Sequence, residues 1–330
     1  MTTGNQRSLG GLVRGLRHRL EYWAVLLLRE PFRRLSPDRA VALGATLGTT
    51  YARLRGPRTR EAAINLAVAL PDWSDGERRR VLVASFANLG RCIAEVLLLQ
   101  GTQREGLLDG LTVEGLEHYD TAKQASASGG VIVLTAHFGS WELCGAAMAQ
   151  RGYPLSVVHH GFANPYLDGM VSRWRRASGV EEIRMGSASM GVFRALAKGR
   201  LVALLLDQSA HRDEGVFAPF FGEPALTRSA PATLAAGRGV PVLPVFIFRM
   251  GQTSRHVVKV YPPLEMDSGG EDPDVEVVRN VARMNQAIET AIRSAPDHWL
   301  WPHRRFKNRP EGAPALYPRS RRRRHRRQRP

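Results

Sequence analysis

Two side chains at one junction have the types and spacing for proton-transfer chemistry: His137 and Glu142, within Gly129 to Gln150, GGVIVLTAHFGSWELCGAAMAQ. Val131 to Thr135 are apolar and β-branched and predict a buried strand, whereas Trp141 to Gln150 repeat apolar residues at helical spacing. His137 then sits at the C-terminal end of the strand. Gly139 and Ser140 supply a tight turn and an N-cap, and Glu142 falls in the first helical turn, where the helix dipole favours a carboxylate. A carboxylate five residues after a His does not share its face of a continuous helix, so pairing them requires this strand–turn–helix break. A neutral His137 held by Glu142 would take a proton from a hydroxyl and make the alcohol a nucleophile toward an activated acyl group. Backbone N–H groups at Gly139 to Trp141 would form an oxyanion site. The plain alternative is a His closing a strand and a Glu serving the helix dipole.

The elements that must hold this junction read as an α/β protein: a central, mostly parallel or mixed sheet covered by helices. Helices are predicted at Arg60 to Leu70 and Glu77 to Gln100. A short strand at Leu111 to Val113 and a helix ending near Ala125 lead into the central strand. Leu155 to Val158 is a second strand, Pro165 to Ser178 and Ser187 to Lys198 are helices, and Leu201 to Leu206 is a continuous apolar strand of the kind buried on both faces. Asp207 closes that strand and, like His137, belongs at the sheet edge where side chains face a cleft. It would orient an acceptor group, hold a basic partner, or cap a loop. Gly215 to Thr227, with Phe217, Phe220 and Phe221, has the composition to wall an acyl chain or to plug the sheet. Ser229 would cap a helix from Ala230 to Gly237, whose N-terminus with Arg228 would suit an anionic group. Strands at Val242 to Phe248 and Val257 to Tyr261 and a helix at Val275 to Ser294 complete the pattern. His298 to Arg309, with Arg304 and Arg305, is either a phosphate clamp or a solvated terminal face.

The 330 residues are 43% hydrophobic, enough to bury a substantial core. The net charge of +17 lies at the ends: 12 arginines against 3 acids through residue 60, and 8 arginines with no acid from residue 319, leaving the body neutral. Basic flanks beside apolar helices suit an anionic membrane surface, whereas a nucleic-acid binder would carry its charge on the folded body. Tyr22 to Leu28 and Ala40 to Ala52 are apolar runs short of the ~18 uncharged residues of a spanning helix. They predict an interfacial hairpin, with Tyr22 and Trp23 at headgroup depth and arginines snorkelling to phosphates. No signal peptide is evident. Cys92 and Cys144 have no metal-ligand spacing and read as core residues in a reducing compartment. The divisions follow: 1–55 basic membrane-associating helices, 56–318 the α/β domain, and 319–330 a disordered Arg-rich tail.

The block HFGSWE resembles the H-x4-D/E signature of membrane glycerolipid and lipid A acyltransferases. Further blocks resemble the bacterial lipid A late acyltransferases in order over roughly residues 20 to 318. They are Arg60 with Asn65-Leu66 and Pro71, Gly90-Arg91 with Glu95, Asn164-Pro165, Asp207-Gln208, Val216 to Gly222, and the ending Trp299 to Lys307 with Arg309 to Gly312. The resemblance implies transfer of a fatty acyl group from an acyl carrier protein thioester to a hydroxyl of a lipid A precursor or related glycolipid. It implies His137 and Glu142 as the catalytic pair and no metal or organic cofactor. It places the chain on the cytoplasmic face of a bacterial inner membrane, peripheral or with a short N-terminal anchor. It also turns Arg304 and Arg305 toward lipid phosphates. Where the family usually has an Arg four residues before Asn-Pro, serving charge on the thioester carbonyl, this chain has His160. A protonated His160, or Arg173 reaching in, would take that part. The alternatives are acylation of another glycolipid or a lysophospholipid, or a catalytically silent lipid- or nucleic-acid-binding protein.

Overall fold

Val131 to Thr135 carries apolar side chains on both sides, so a strand there has to be covered on both faces. The fold meets that demand in a computed structural model that describes residues 9–101, 104–185, 188–270 and 272–318. The strands are β1 Leu111–Glu114, β2 Val131–Thr135, β3 Leu155–His159, β4 Glu181–Arg184, β5 Leu201–Leu205, β6 Gly215–Phe220, β7 Glu223–Arg228, β8 Val242–Arg249 and β9 His256–Val260. The helices are α1 Leu9–Arg33, α2 Pro37–Arg53, α3 Pro57–Ala69, α4 Asp75–Leu98, α5 Arg104–Asp109 and α6 Leu116–Ala125, followed by α7 Trp141–Gln150, α8 Pro165–Ala177, α9 Ala188–Ala197, α10 Ala230–Arg238 and α11 Pro273–Ser294. Seven strands form one sheet in the order β1-β9-β8-β2-β5-β3-β4. The β8–β9 pairing is antiparallel and the other pairings within the sheet are parallel, so the sheet is mixed.

Alternation along β2 separates two apolar layers. Ile132 and Leu134 face a core with α3, α9, α11, the β6–β7 hairpin and Trp299, whereas Val131 and Val133 face one with α4, α6 and α7. The Phe-rich segment is therefore a plug rather than an acyl wall. Phe220 and Phe221 are buried against Trp299, Trp301 and Phe306. Phe217 lies half-buried under Arg212.

Helix α2 packs on α4 through glycines. A Cβ at Gly44 would run into the Gly90 carbonyl, and one at Gly48 into that of Phe86, so only glycine allows this approach. Among the described residues, α4 is the one helix long and apolar enough to cross a membrane, but half of that stretch is already buried in the protein. Its Glu95 is fully buried and accepts from two Arg249 nitrogens, with Asn88 taking the Arg249 Nε at 3.1 Å. That pair identifies α4 as a core helix, since a buried carboxylate requires such a partner. The N-terminal apolar run belongs to a longer helix than expected. Helix α1 spans 25 residues and docks on α8, where Asn164 Nδ2 donates to the His18 carbonyl at 2.8 Å and Tyr22 stacks on Tyr166. Leu12, Leu16, Leu20, Trp23 and Leu27 remain exposed along it at helical spacing. The tail from 319 to 330, and Ser187 at the expected start of α9, lie outside the described residues.

Candidate active site

Register brings the reactive groups together. β2 pairs with β5 in parallel, Thr135 opposite Leu205, so the residues two positions beyond, His137 and Asp207, face one another at the C-terminal edge. Asp207 is buried, its side chain only 2% exposed. Its Oδ1 lies 2.9 Å from His137 Nδ1, and its Oδ2 accepts from the His137 backbone N–H at 3.1 Å and the Trp299 indole at 2.8 Å. Burial opposes ionisation of Asp207, but attraction to His137, with the hydrogen bonds from His137 and Trp299, outweighs it and holds the carboxyl down to about 2. An ionised Asp207 makes Nδ1 the protonated nitrogen of a neutral His137, leaving the Nε2 lone pair free for a proton. Gln208 Nε2 is 3.3 Å from that Nε2, and Trp141 stands edge-on to the ring.

The turn after His137 is stitched to the C-terminal segment. Leu300 N–H donates to the His137 carbonyl at 3.0 Å, and Gly139 N–H donates to the His298 carbonyl at 2.9 Å. Gly139 has φ +57 and lies against Ile247, where a Cβ would strike the Ile247 carbonyl. Its amide is thus committed, and an oxyanion site has to use the first-turn N–H groups of α7, which have no intrahelical acceptor. Ser140 occupies the N-cap position without a side-chain cap bond, and Ser229 before α10 likewise makes none.

Glu142 does not hold His137. Its carboxylate meets the Arg175 fork, Nε at 3.1 Å and Nη2 closer. Arg175 continues to Glu182 at 3.4 Å, and Glu182 to Ser172 at 3.1 Å and His159 at 3.3 Å. Asp207 already occupies Nδ1, while Arg175 offers Glu142 a two-point charged contact. Burial works against the Arg175 charge but Glu142 outweighs it, so its pKa is raised.

A cavity of about 450 Å³ opens beside His137 and runs between the sheet and α7, lined by Val133, Val157, Leu201, Leu243, Cys144 and Met148. Glu142 and Arg175 also line it. The Cys144 thiol is pushed up to about 12 by burial and is no nucleophile; Cys92, also near 12 for the same reason, donates its thiol to the Gly139 carbonyl at 3.1 Å. The mouth carries His160, exposed Phe162 and Arg228. Arg228 Nη2 lies 3.3 Å from His160 Nε2, and Arg228 is ion-paired to Glu214. The guanidinium is always a donor, so that imidazole nitrogen accepts. Burial, then Arg228, lowers the His160 pKa. His160 is therefore a neutral group here, which corrects the expectation of an imidazolium; the cation at this mouth is Arg228.

Three further arginines lie elsewhere than expected. Arg173 points away from the cavity into a shallow recess with Tyr22, Arg29 and Gln100. Arg304 binds Glu61 at 2.6 Å and stacks over Tyr317. Arg305 is fully buried, donating to the Leu226 carbonyl and Thr227 Oγ1, and burial pushes its pKa down to about 10. Arg305 is thus a core strut that ties the ending to the hairpin, with no face left for a lipid phosphate. Arg175, Gln208 and Trp299 are site residues without an assigned role in the sequence reading. The run Arg173, Trp174, Arg175, Arg176 offered a signal for the first only through helical phase.

This arrangement defines a class: an α/β protein whose histidine–carboxylate pair sits at the mouth of an apolar cavity. Comparison with known proteins narrows it. The chain belongs to the bacterial lipid A biosynthesis acyltransferase family, whose profile matches residues 13–308. It is similar to the lipid A biosynthesis palmitoleoyltransferase of Escherichia coli, 29% identical over 276 residues covering 83% of this chain and 87% of the relative. The E. coli lauroyltransferase is 28% identical over the same shares. A phosphatidylinositol mannoside acyltransferase of Mycobacterium tuberculosis is 26% identical over 82% of this chain and 84% of its own.

Proposed function

We propose that this chain is an O-acyltransferase that moves a fatty acyl group from an acyl carrier protein thioester to a hydroxyl of a lipid A precursor, at the cytoplasmic face of an inner membrane. The observation that carries the reading is the His137–Asp207 pair at the mouth of the apolar cavity. His137 Nε2 takes the proton of the acceptor hydroxyl as its oxygen attacks the thioester carbonyl, and Asp207 stabilises the imidazolium. As the tetrahedral intermediate collapses, the C–S bond breaks and the proton passes from His137 to the departing thiolate, so the base is regenerated. The acyl chain lies along the α7 side of the sheet, and Glu142 keeps Arg175 beside it. Helix α1 and the basic segment through residue 55 hold residues 56–318 at the bilayer through the exposed Leu and Trp stripe. The acidic acyl carrier is drawn to the same basic flank.

The test is purified protein with acyl carrier protein thioester and lipid A precursor, the product read by mass spectrometry. Acyl transfer should be present in the wild type and lost in folded His137→Ala. No transfer by the wild type to any glycolipid hydroxyl would refute the reading. A second reading, acylation of another glycolipid, is favoured by the burial of Arg305 and the Arg304–Glu61 pair, which remove a presumed lipid A phosphate clamp. A phosphatidylinositol mannoside acceptor tested beside the lipid A precursor decides between them.

A further inference from the structure

A recess of about 370 Å³ lies where α1, α8, the end of α4 and the start of α5 meet. Helical phase assembles it. Tyr22, Leu26 and Arg29 share one face of α1, and Met170, Arg173 and Trp174 share one face of α8. Gln100, just past α4, and Arg104, which opens α5, close the remaining side. Three arginines from three helices therefore line one small recess.

Among the described residues, the lining is rich in hydrogen-bond donors and holds no carboxylate. Arg29 Nε, Gln100 Nε2 and Trp174 Nε1 are buried without a hydrogen-bond partner, and Trp174 is only 6% exposed. Arg29 Nη1 reaches Gln100 Oε1 at 3.5 Å, while Arg104 rests on the neutral Gln150 amide, whose oxygen accepts from Nε at 3.2 Å. The acids of α1 and α8 are engaged elsewhere: Glu21 by Arg17 and Asn164, Glu30 by Arg33, and Asp168 by Arg184. Glu105, beside Arg104, is exposed. Three like charges at one recess repel, and unmet donors in a half-buried site are unfavourable, unless an anion with several acceptor oxygens joins them. A phosphate supplies those oxygens in the geometry that the guanidinium fork matches.

We propose that this recess is a phosphate-binding site, separate from the His137–Asp207 pair. Arg29, Arg104 and Arg173 hold the phosphate oxygens from three sides, and the Gln100 amide adds a neutral donor. The headgroup of an anionic lipid and a free phosphate share this chemistry. Trp174 lines both the recess and the cavity beside His137, and the next residue, Arg175, holds Glu142. An occupied recess thus braces the helix that supports the cavity wall.

The experiment compares the full chain with Arg29→Gln/Arg104→Gln/Arg173→Gln, with Arg173→Glu alone, and with Arg79→Gln/Arg80→Gln/Lys198→Gln, which removes three charges from exposed positions elsewhere. Arg173 is exposed, so its single substitution should leave folding intact; circular dichroism verifies all four proteins. One arm titrates inorganic phosphate by calorimetry at constant ionic strength. The other measures binding to phosphatidylcholine vesicles with and without phosphatidylglycerol. At roughly tenfold per charge-assisted contact, Arg173→Glu should weaken phosphate-dependent binding about tenfold and the triple variant by a hundredfold or more, on the order of one contact per arginine. The control variant should lose far less. A loss confined to the vesicle arm identifies a lipid headgroup, and one that extends to inorganic phosphate identifies a site open to free phosphate; either supports the site. Equal losses in the recess and control variants, or no phosphate-dependent binding by the wild type in either arm, would overturn it.

Discussion

Asp207 decides which nitrogen of His137 is free, and that makes it separable from Glu142 by experiment. Held near 2, Asp207 stays ionised throughout the working range. Asp207→Asn should therefore lower kcat by ~10²–10⁴-fold and distort the pH–rate profile, because the tautomer and the imidazolium lose their anchor. Glu142→Gln weakens the grip on Arg175 and should reduce turnover while leaving the shape of the profile intact. The reverse pattern would restore Glu142 as the partner of His137. At the mouth, the lowered His160 pKa means that a neutral imidazole is already the working form. The sign is fixed: raising pH takes no charge from it, so His160→Gln and His160→Arg should both lack any change on the alkaline limb. Loss of an alkaline limb in His160→Arg would show that a protonated His160 acts after all.

At the scale of elements, α7 follows directly on the turn that carries His137 and forms one wall of the apolar cavity. Trp141, Cys144, Gly145 and Met148 share its inner face and line the cavity, with Tyr119 of α6 also in the lining and edge-on to Tyr153. Gly145 leaves room for a side chain: a Cβ there would meet only Leu155 Cδ2, at 3.6 Å. Gly145→Leu should fill the channel midway and shift preference toward shorter acyl groups, read by competition among decanoyl, lauroyl and myristoyl carrier proteins. An unchanged preference in the folded variant would mean that the chain lies along another path.

For the whole molecule, buried histidines set the response to acid. His256 and His303 are each pushed down to about 4, chiefly by burial. His256 Nε2 is 3.4 Å from Glu95, a spacing that would favour a charged His, but Arg249 already occupies that carboxylate and desolvation wins. With folded values below the unfolded 6.5, the unfolded chain binds more protons as pH falls. Stability is full above pH 6.5 and is lost as pH drops toward 4, each His adding ~1.4 kcal/mol per pH unit across that window. The Asp207 contribution, by contrast, disappears only below about pH 4, as pH falls from the unfolded 3.8 toward 2. Thermal melts from pH 7 to 4 should show a steep decline that is flattened in His256→Gln/His303→Gln; equal slopes would refute it. Deleting residues 319–330 should leave turnover in detergent unchanged, since this basic stretch follows the last family-like block; loss of turnover would place the end of the α/β domain further on.

Local pattern carried a great deal of this. The apolar run at Val131 to Thr135 and the helical spacing from Trp141 specify β2 and α7 by themselves, because backbone conformation and the phase of burial are properties of short segments. The positions of His137 and Asp207 at strand ends were legible for the same reason. Their pairing was not. It depends on β5 lying beside β2 in a fixed register, seventy residues apart, and no local period encodes which strands become neighbours. The same holds for Glu142, whose partner Arg175 sits on another helix, and for Phe220 and Arg305, which composition suited equally to a lipid channel or a core. Sequence determined which segments are strands and helices and which groups stand at their ends. Tertiary structure decided which carboxylate meets which cation, because that choice rests on register, desolvation and packing across elements that only the folded chain brings together.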